Sequence, residues 1–438
     1  MITMLAGQHI FVVGLGKSGI ATARFLKNKG AMVTVSDSGS EAQLADAAAL
    51  MRNIGANVRF GAHHLESFEK ADMIVLSPGV PHTIDPIIRA KARGIPVIGE
   101  TELAYRFVSE PIVAVTGTNG KTTVTTLIGE MLTQSGFKVF VGGNIGHPLI
   151  AYADSEEKAD RIVLEISSFQ LDTIERFKAD AAVLLNITED HLDRYPDFRA
   201  YGYSKARIFE NQTRNDAAIL NAGDSFICEL SKSIRSKKVF YNPLSENASD
   251  MLEKIDFSCV KLPGKHNMEN VSAACLAARA VGGTPEAIQR VLSAFKGLPH
   301  RIEFVAEING VKYFDDSKGT NIDAVIRALE CFQQPVILIL GGRGKGSDFG
   351  LLSDSVRSRV KAIVAIGETK EEIVAALDKD CRQGAKPVLT MAEAVSQART
   401  MAEPGDVVLL SPACASFDMF TSYAHRGQVF CQAVKQSV

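Results

Sequence analysis

The sequence predicts an α/β protein of three domains, each a largely parallel sheet flanked by helices. Three observations predict it. The chain has 438 residues, length for about three domains at roughly 150 residues each. Its apolar content of 46% is ample for ordinary cores. Short β-branched runs alternate with longer helical patterns almost throughout, the rhythm of strands laid parallel by helical crossovers. Domains are expected over residues 1–99, 100–302 and 303–438.

In the first block HIFVVG (9–14), AMVTVSD (31–37), DMIVLSPG (72–79) and IPVIGE (95–100) read as buried strands, with a helix over 17–29. The block closes near Gly99. The second opens with PIVAVTG (111–117), continues through RIVLEISSF (161–169) and DAAVLLNIT (180–188), and has a helix-rich second half over 265–295. It closes at GLPHRI (297–302), whose Gly and Pro interrupt the helical pattern. A hairpin follows, with Asn309-Gly310 as its turn. Strands PVILILGG (335–342), AIVAIG (362–367) and DVVLLSPA (406–413) complete the third block.

Composition excludes several function classes. Lysine and arginine number 48 against 50 acidic residues, so no broad cationic surface suits nucleic acid, and any phosphate site is local. Seven cysteines form an odd set without CxxC spacing, which argues against a disulfide framework and a zinc knuckle. No cationic leader precedes the first apolar run, and no stretch approaches the roughly 18 apolar residues of a membrane helix. A cytoplasmic protein with no membrane insertion is expected.

GLGKSG (14–19) follows a strand and opens a helix, matching GxGxxG in the context that gives it meaning. Gly14, Gly16 and Gly19 would let backbone N–H groups approach a diphosphate, and Asp37 ends the next strand where an acid meets a ribose or a base. NAD, FAD and a nucleotide sugar all fit, and a tight turn without ligand would use the same glycines.

TGTNGKTT (116–123) follows the strand IVAV and precedes a helix. It is a shortened phosphate loop, GxxGK[ST], with Val115 where the longer pattern has its first glycine. The backbone from Gly117 through Thr118, Asn119 and Gly120 to Thr123 would wrap phosphate oxygens, Lys121 would offset β/γ-phosphate charge, and Thr122 would offer a hydroxyl to Mg2+. Glu165 and His191 lie at or just past the carboxyl ends of expected strands, suited to a divalent metal near phosphates. Either alone is more simply a satisfied polar side chain.

Two phosphate-type loops on separate domains suggest a two-substrate reaction driven by ATP; a dehydrogenase has no evident need for the second. Polar clusters recur downstream, at 266–270, 298–301, 315–321, 341–349 and 411–418. Each alone reads as a cap or a loop. Their charges together fit an anionic ligand and a nucleotide.

At this point the sequence resembles the Mur ligase family. GTNGKTTVTTL, GGNIG (142–146), LEISSFQL, NITEDHLDRYP, GKHNMEN, GLPHRIE, DDSKGTN and SPACASFDMF occur in family order and spacing over essentially the whole chain. SPGVP (77–81) with SPACAS favours the member that adds D-glutamate. The resemblance implies Rossmann-like first and third domains around a central phosphate-loop domain. It implies an ATP- and Mg2+-dependent ligase, with two ions, that joins D-glutamate to UDP-N-acetylmuramoyl-L-alanine through an acyl phosphate, in peptidoglycan precursor synthesis. A monomer is expected. The alternatives are another ADP-forming amino-acid ligase of the superfamily, such as folylpolyglutamate synthase, an NAD-linked oxidoreductase, or a non-catalytic nucleotide-binding module.

Carried over onto this chain, Lys17 and Ser18 lie near the diphosphate, Asp37 and Ser38 meet the uracil, Ser77, Pro78 and Gly79 line the same pocket, and Asn144 reaches the sugar diphosphate. Lys121 and Thr122 serve ATP and Mg2+, Glu165 and His191 bind metal, and Asn267, Asn270, Arg301 and Asp316 contact the nucleotide. Lys318, Thr320, Lys345, Ser416 and Tyr423 handle D-glutamate, with tyrosine where the family has phenylalanine. Lys205 matches the lysine that the family carries as a carbamate, able to hold a second Mg2+. Without the resemblance, Lys205 reads as an exposed lysine on an amphipathic helix.

Overall fold

The computed structural model describes residues 5–61, 68–242, 244–344, 346 and 348–436. Among them are three sheets. The first contains β1 (His9–Val13), β2 (Met32–Asp37), β3 (Asn57–Phe60), β4 (Met73–Leu76) and β5 (Val97–Gly99), all parallel, in the order β3-β2-β1-β4-β5. Alternation along the strands puts Phe11, Val13, Ile74 and Leu76 in one core cluster with Phe68 and Ile87.

The second sheet contains β6 (Ile112–Thr116), β7 (Val139–Gly143), β8 (Arg161–Glu165), β9 (Ala181–Leu184), β10 (Ala217–Asn221) and β11 (Lys237–Tyr241). It too is parallel, in the order β11-β10-β9-β6-β8-β7. The first two sheets are tied together by polar contacts, some of them buried. Glu100 accepts the Ile150 N–H at 2.7 Å, and Asn28 donates to both carboxylate oxygens of Asp154. Glu102, wholly buried, accepts the N–H groups of Glu175, Arg176 and Phe177, each at 2.9 Å, and pairs with Arg106. That set compensates the desolvation of its charge.

The third sheet contains β12 (Glu303–Ile308), β13 (Val311–Asp315), β14 (Val336–Gly341), β15 (Val360–Ile366), β16 (Ala385–Pro387) and β17 (Val407–Leu410), in the order β12-β13-β17-β14-β15-β16. It is parallel except for β12, which forms the expected hairpin with β13. Asn309 and Gly310 have φ of 51° and 78°, the left-handed pair that a two-residue turn needs. Both faces of this sheet are covered: Leu338, Leu340 and Leu409 belong to one core cluster, Ile337, Ile339 and Val408 to another. Continuous apolar strands are therefore what its sequence shows.

The chain divides into two compact units, Met1–Ile187 with Arg199–Ser258 and Asn270–Ser293, and Thr188–Phe198 with Cys259–Glu269 and Ala294–Val438. Residues 259–269 go with the second because they pack on its helices: Glu269 pairs with Arg327, and Cys331 Sγ donates to the Pro263 carbonyl.

Candidate active site

In the first sheet, connections from β1 run to opposite sides, through β2 and through β4, so the crevice outside the carboxyl ends of β1 and β4 is where a ligand is held in such folds. The three glycines of GLGKSG divide the work there. Gly14 takes φ 96° and lies against Ser77, whose Oγ donates to its carbonyl at 3.1 Å. Gly16, at the N-cap of helix Lys17–Asn28, has open space where a side chain would be. A Cβ on Gly19 would overlap the Gly14 carbonyl oxygen. Lys17 and Ser38 are exposed, and Ser18, Pro78 and Gly79 are partly or fully accessible beside them. Asp37 accepts the N–H groups of Leu15 (2.7 Å) and Gly39 (2.8 Å), so its carboxylate also fastens the glycine turn to β2.

The phosphate loop leaves β6 at the middle of the second sheet. Gly117 and Gly120 have φ of 152° and 86°, and Gly120 caps helix Lys121–Gln134. Thr118 N–H donates to the Asn186 carbonyl (2.9 Å), Asn119 N–H to Asn186 Oδ1 (2.8 Å), and Asn186 Nδ2 to the Asn119 carbonyl (3.1 Å). Asn186, at the carboxyl end of β9, therefore clamps the loop on both edges. Asn270 comes against Gly120 so closely that any Cβ there would overlap its amide oxygen. Lys121 Nζ donates to the carbonyls of Gly117 (2.9 Å) and Thr118 (2.8 Å). Thr122 lies part-exposed in the first helical turn, with Thr123 buried behind it.

Glu165 ends β8 and is paired in register with Val115 of β6 and Gly143 of β7. It is 3% exposed; Oε1 accepts Asn144 Nδ2 at 2.8 Å, and Oε2 has no partner among the described residues. A buried carboxylate oxygen without a donor is costly unless something cationic completes it. Glu165 therefore fits a divalent cation.

Lys205 overturns the expectation of an exposed helical lysine. It is 1% exposed, its Nζ donates to the Gly117 carbonyl at 2.9 Å, and it lies over the Tyr201 ring at 4.4 Å. The phosphate loop is thus gripped by Lys121 and Lys205, which share one carbonyl.

The second unit brings its own set together. Arg301 lies between His300 and Ile302, whose φ values of 61° and 49° are left-handed; for a β-branched residue that is a genuine outlier. Asp316 accepts Ser411 Oγ (2.7 Å) and the Ile302 N–H beside Arg301, and burial pushes its carboxyl up to about 7. Asn267 Nδ2 donates to the Pro263 carbonyl, and burial with the nearby charge of Arg327 pushes the adjacent His266 down to about 4. Lys318 Nζ sits 3.8 Å over the Tyr423 ring. Thr320 is part-buried and Ser416 buried in the SPACAS turn, where Ala413 has φ 57°. Lys345 lies outside the described residues. His191 has φ 56°, its N–H donating to Asp190 Oδ1, and Asn321 reaches the other Asp190 oxygen at 3.3 Å.

The comparisons with known proteins extend over the whole chain. Family models for the MurD-like N-terminal domain of Mur ligases, the Mur ligase middle domain and the Mur ligase glutamate ligase domain match residues 8–99, 115–278 and 300–414. The UDP-N-acetylmuramoylalanine–D-glutamate ligase of Desulfosudis oleivorans is 52% identical, covering 98% of this chain and 96% of its own, and that of Desulfatibacillum aliphaticivorans 49% identical, covering 98% of each. The chain belongs to the Mur ligase family. In fold, this Mur ligase is similar to MurF ligase from Thermotoga maritima in complex with ADP (TM-score 0.61, 16% identity, 100% of both chains). It is also similar to a pseudomurein peptide ligase type C from Methanothermus fervidus (TM-score 0.59, 18% identity, covering 99% of this chain and 100% of that one).

Some of this Mur ligase's site-shaping groups lie outside what its motifs single out. Asn186 opens NITEDHLDRYP but has no role assigned from that motif, and Tyr201 reads as one of several aromatics on a helix. Arg426 is 1% exposed and donates to Ser317 Oγ and to the carbonyls of Ser317 and Cys414, joining the DDSKGTN and SPACAS loops. Nothing in its local spacing marks it.

Proposed function

We propose that the chain is an ATP-dependent ligase that joins D-glutamate to UDP-N-acetylmuramoyl-L-alanine, releasing ADP and phosphate. What carries this reading is the full-length likeness to D-glutamate ligases, 52% identical over 98% of the chain. The arrangement of the two phosphate-binding turns supports it.

On this reading the crevice around Gly14, Ser77 and Asp37 anchors the uridine end of the first substrate, leaving its alanyl carboxylate to meet ATP. Backbone N–H groups of the phosphate loop hold the β- and γ-phosphates, and Lys121 exchanges its two carbonyl acceptors for phosphate oxygens. The carboxylate attacks the γ-phosphorus, ADP leaves, and an acyl phosphate forms. The free amine of D-glutamate then attacks the acyl carbon, and phosphate leaves as the amide closes. Mg2+ supplies charge neutralisation at the phosphate oxygens when bound; Thr122 and Glu165 would hold it, His191 is assigned to metal, and Lys205, as a carbamate, to a second ion. Asn267, Asn270, Arg301 and Asp316 are assigned to the nucleotide, and Lys318, Thr320, Lys345, Ser416 and Tyr423 to D-glutamate. His191 is assigned no proton-transfer role.

Phosphate release from ATP and UDP-N-acetylmuramoyl-L-alanine across a panel of D- and L-amino acids tests the reading. D-glutamate alone should sustain turnover; equal turnover with L-glutamate or with another amino acid would overturn it. Lys121→Ala should lower kcat by about a thousandfold or more while leaving the circular dichroism spectrum unchanged.

A further inference from the structure

The carboxyl ends of the strands in the third sheet carry the loops assigned above. Its opposite edge holds a cavity of about 340 Å³ that none of those loops reaches. Four cations line it: Arg357 and Arg359 at the end of helix Ser353–Arg359, Lys361 at the start of β15, and Arg382 before β16. Gln333, Gln334 and Pro335, leading into β14, line the same space with Ser358 and Val360, and no acidic residue lines it.

Two of the four cations are already neutralised from outside the cavity. Arg357 pairs with Asp380 at 2.7 Å and with Asp354, and Lys361 with Asp406 at 2.8 Å and Glu403 at 3.1 Å. The other two are not. Among the described residues neither Arg359 nor Arg382 forms an ion pair with a carboxylate. Arg359 is part-buried, and Nη1 donates to the Phe332 carbonyl at 2.7 Å. A guanidinium has five N–H donors, so most of its capacity is turned elsewhere. The dipole of the short helix Ser353–Arg359 favours a cation at its end. That accounts for Arg357 and Arg359, but not for Arg382, nor for a hollow with four cations and no acidic residue in its wall.

Guanidinium pairs with neighbouring amides match the oxygens of a phosphate, which accept planar, bidentate bonds. The volume stands at the lower end of small-molecule sites, roughly 300–1,000 Å³, so a phosphate ion fits with room for a small organic substituent. The protein's formal net charge of −2 supplies no general attraction for anions. Any selectivity is therefore local to this edge.

We propose that this cavity binds a small phosphate-bearing anion, with Arg359 and Arg382 as its principal ligands. The source is either inorganic phosphate or the phosphate monoester of a small metabolite. The assignment stands apart from the proposed ligase activity, because it rests on the opposite edge of the sheet.

Calorimetric titration of the full chain carrying Lys121→Ala, which removes the phosphate-loop lysine, tests it with inorganic phosphate and with ribose 5-phosphate as probes. One phosphate per chain should bind, and affinity should fall at least tenfold in Arg382→Gln and further when Arg359→Gln is added. Arg382 is exposed, so its replacement keeps the fold and leaves the test readable if the double variant unfolds. Ribose 5-phosphate binding tenfold tighter than phosphate would support a monoester; equal affinities would support the free ion. Absence of binding heat with both probes, or affinity unchanged in Arg382→Gln, would overturn the proposal. In the chain with Lys121 intact, turnover of Arg382→Gln should equal that of the unaltered protein.

Discussion

Single side chains in this protein are held in states that water would not favour, and those states make measurable claims. The unpartnered Glu165 oxygen is one. Glu165→Gln should raise the Mg2+ concentration for half-maximal activity, read from a metal titration at saturating ATP; an unchanged value would remove Glu165 as a ligand. Glu100 is another: burial pushes its carboxyl from 4.5 up to about 7, against the opposing hydrogen bonds from Ile150 and Thr101. The native state therefore keeps a proton that the unfolded chain loses above pH 4.5. Stability from this group is lost as pH rises from about 4.5 to 7, and changes little beyond, with a span of roughly 3 kcal/mol. Glu100→Gln retains an acceptor for the Ile150 N–H. Urea unfolding at pH 5 and pH 8 should show a smaller difference in that variant than in the unaltered chain. An equal difference would remove Glu100 as the cause.

At the scale of elements, the phosphate loop is positioned by a neighbour rather than by its own hydrogen bonds alone. Asn186 meets it through three hydrogen bonds. Asn186→Ala should cost about 1–3 kcal/mol of stability and lower kcat/KM for ATP by about a hundredfold, while the Kd for the uridine substrate stays unchanged. Fluorescence titration separates the two effects. Elements of this kind were unevenly legible in the sequence. GLGKSG and TGTNGKTT announce themselves because glycine spacing, a preceding strand and a following helix coincide. The Asn309-Gly310 hairpin is as plain, since only such residues take both left-handed positions at low cost. Strands β3, β7, β10, β11 and β16 are missing from the sequence reading, and all but β10 are sheet edges. An edge strand is covered less completely, so its apolar run is short or broken, as NVRF and AKP are. Lys205 hides for a different reason. Its helix, FRAYGYSKA, interleaves charged and aromatic residues without a clear stripe, and only tertiary packing reveals that this lysine faces inward.

At the scale of the whole molecule, the two compact units each own a complete sheet-centred core. Such a chain should not melt in one step. Scanning calorimetry should resolve two transitions, and a non-hydrolysable ATP analogue with Mg2+ at about a hundred times its Kd should stabilise the transition of the phosphate-loop unit by roughly 2.7 kcal/mol. A single transition unaffected by the analogue would contradict both the division and the placement of the triphosphate on that loop.

The interleaving of the two units, each built from three separate stretches of chain, matters while the protein is being made. Helix Lys265–Ala280, which supplies Asn270 and the buried Val271, Ala274 and Leu276, belongs mostly to the unit that starts at the amino terminus. On a translating ribosome that unit stays unfinished until about residue 293 has cleared the exit tunnel. A nascent chain stalled at residue 258 should therefore remain open to a protease that a chain long enough to expose residue 293 outside the tunnel resists.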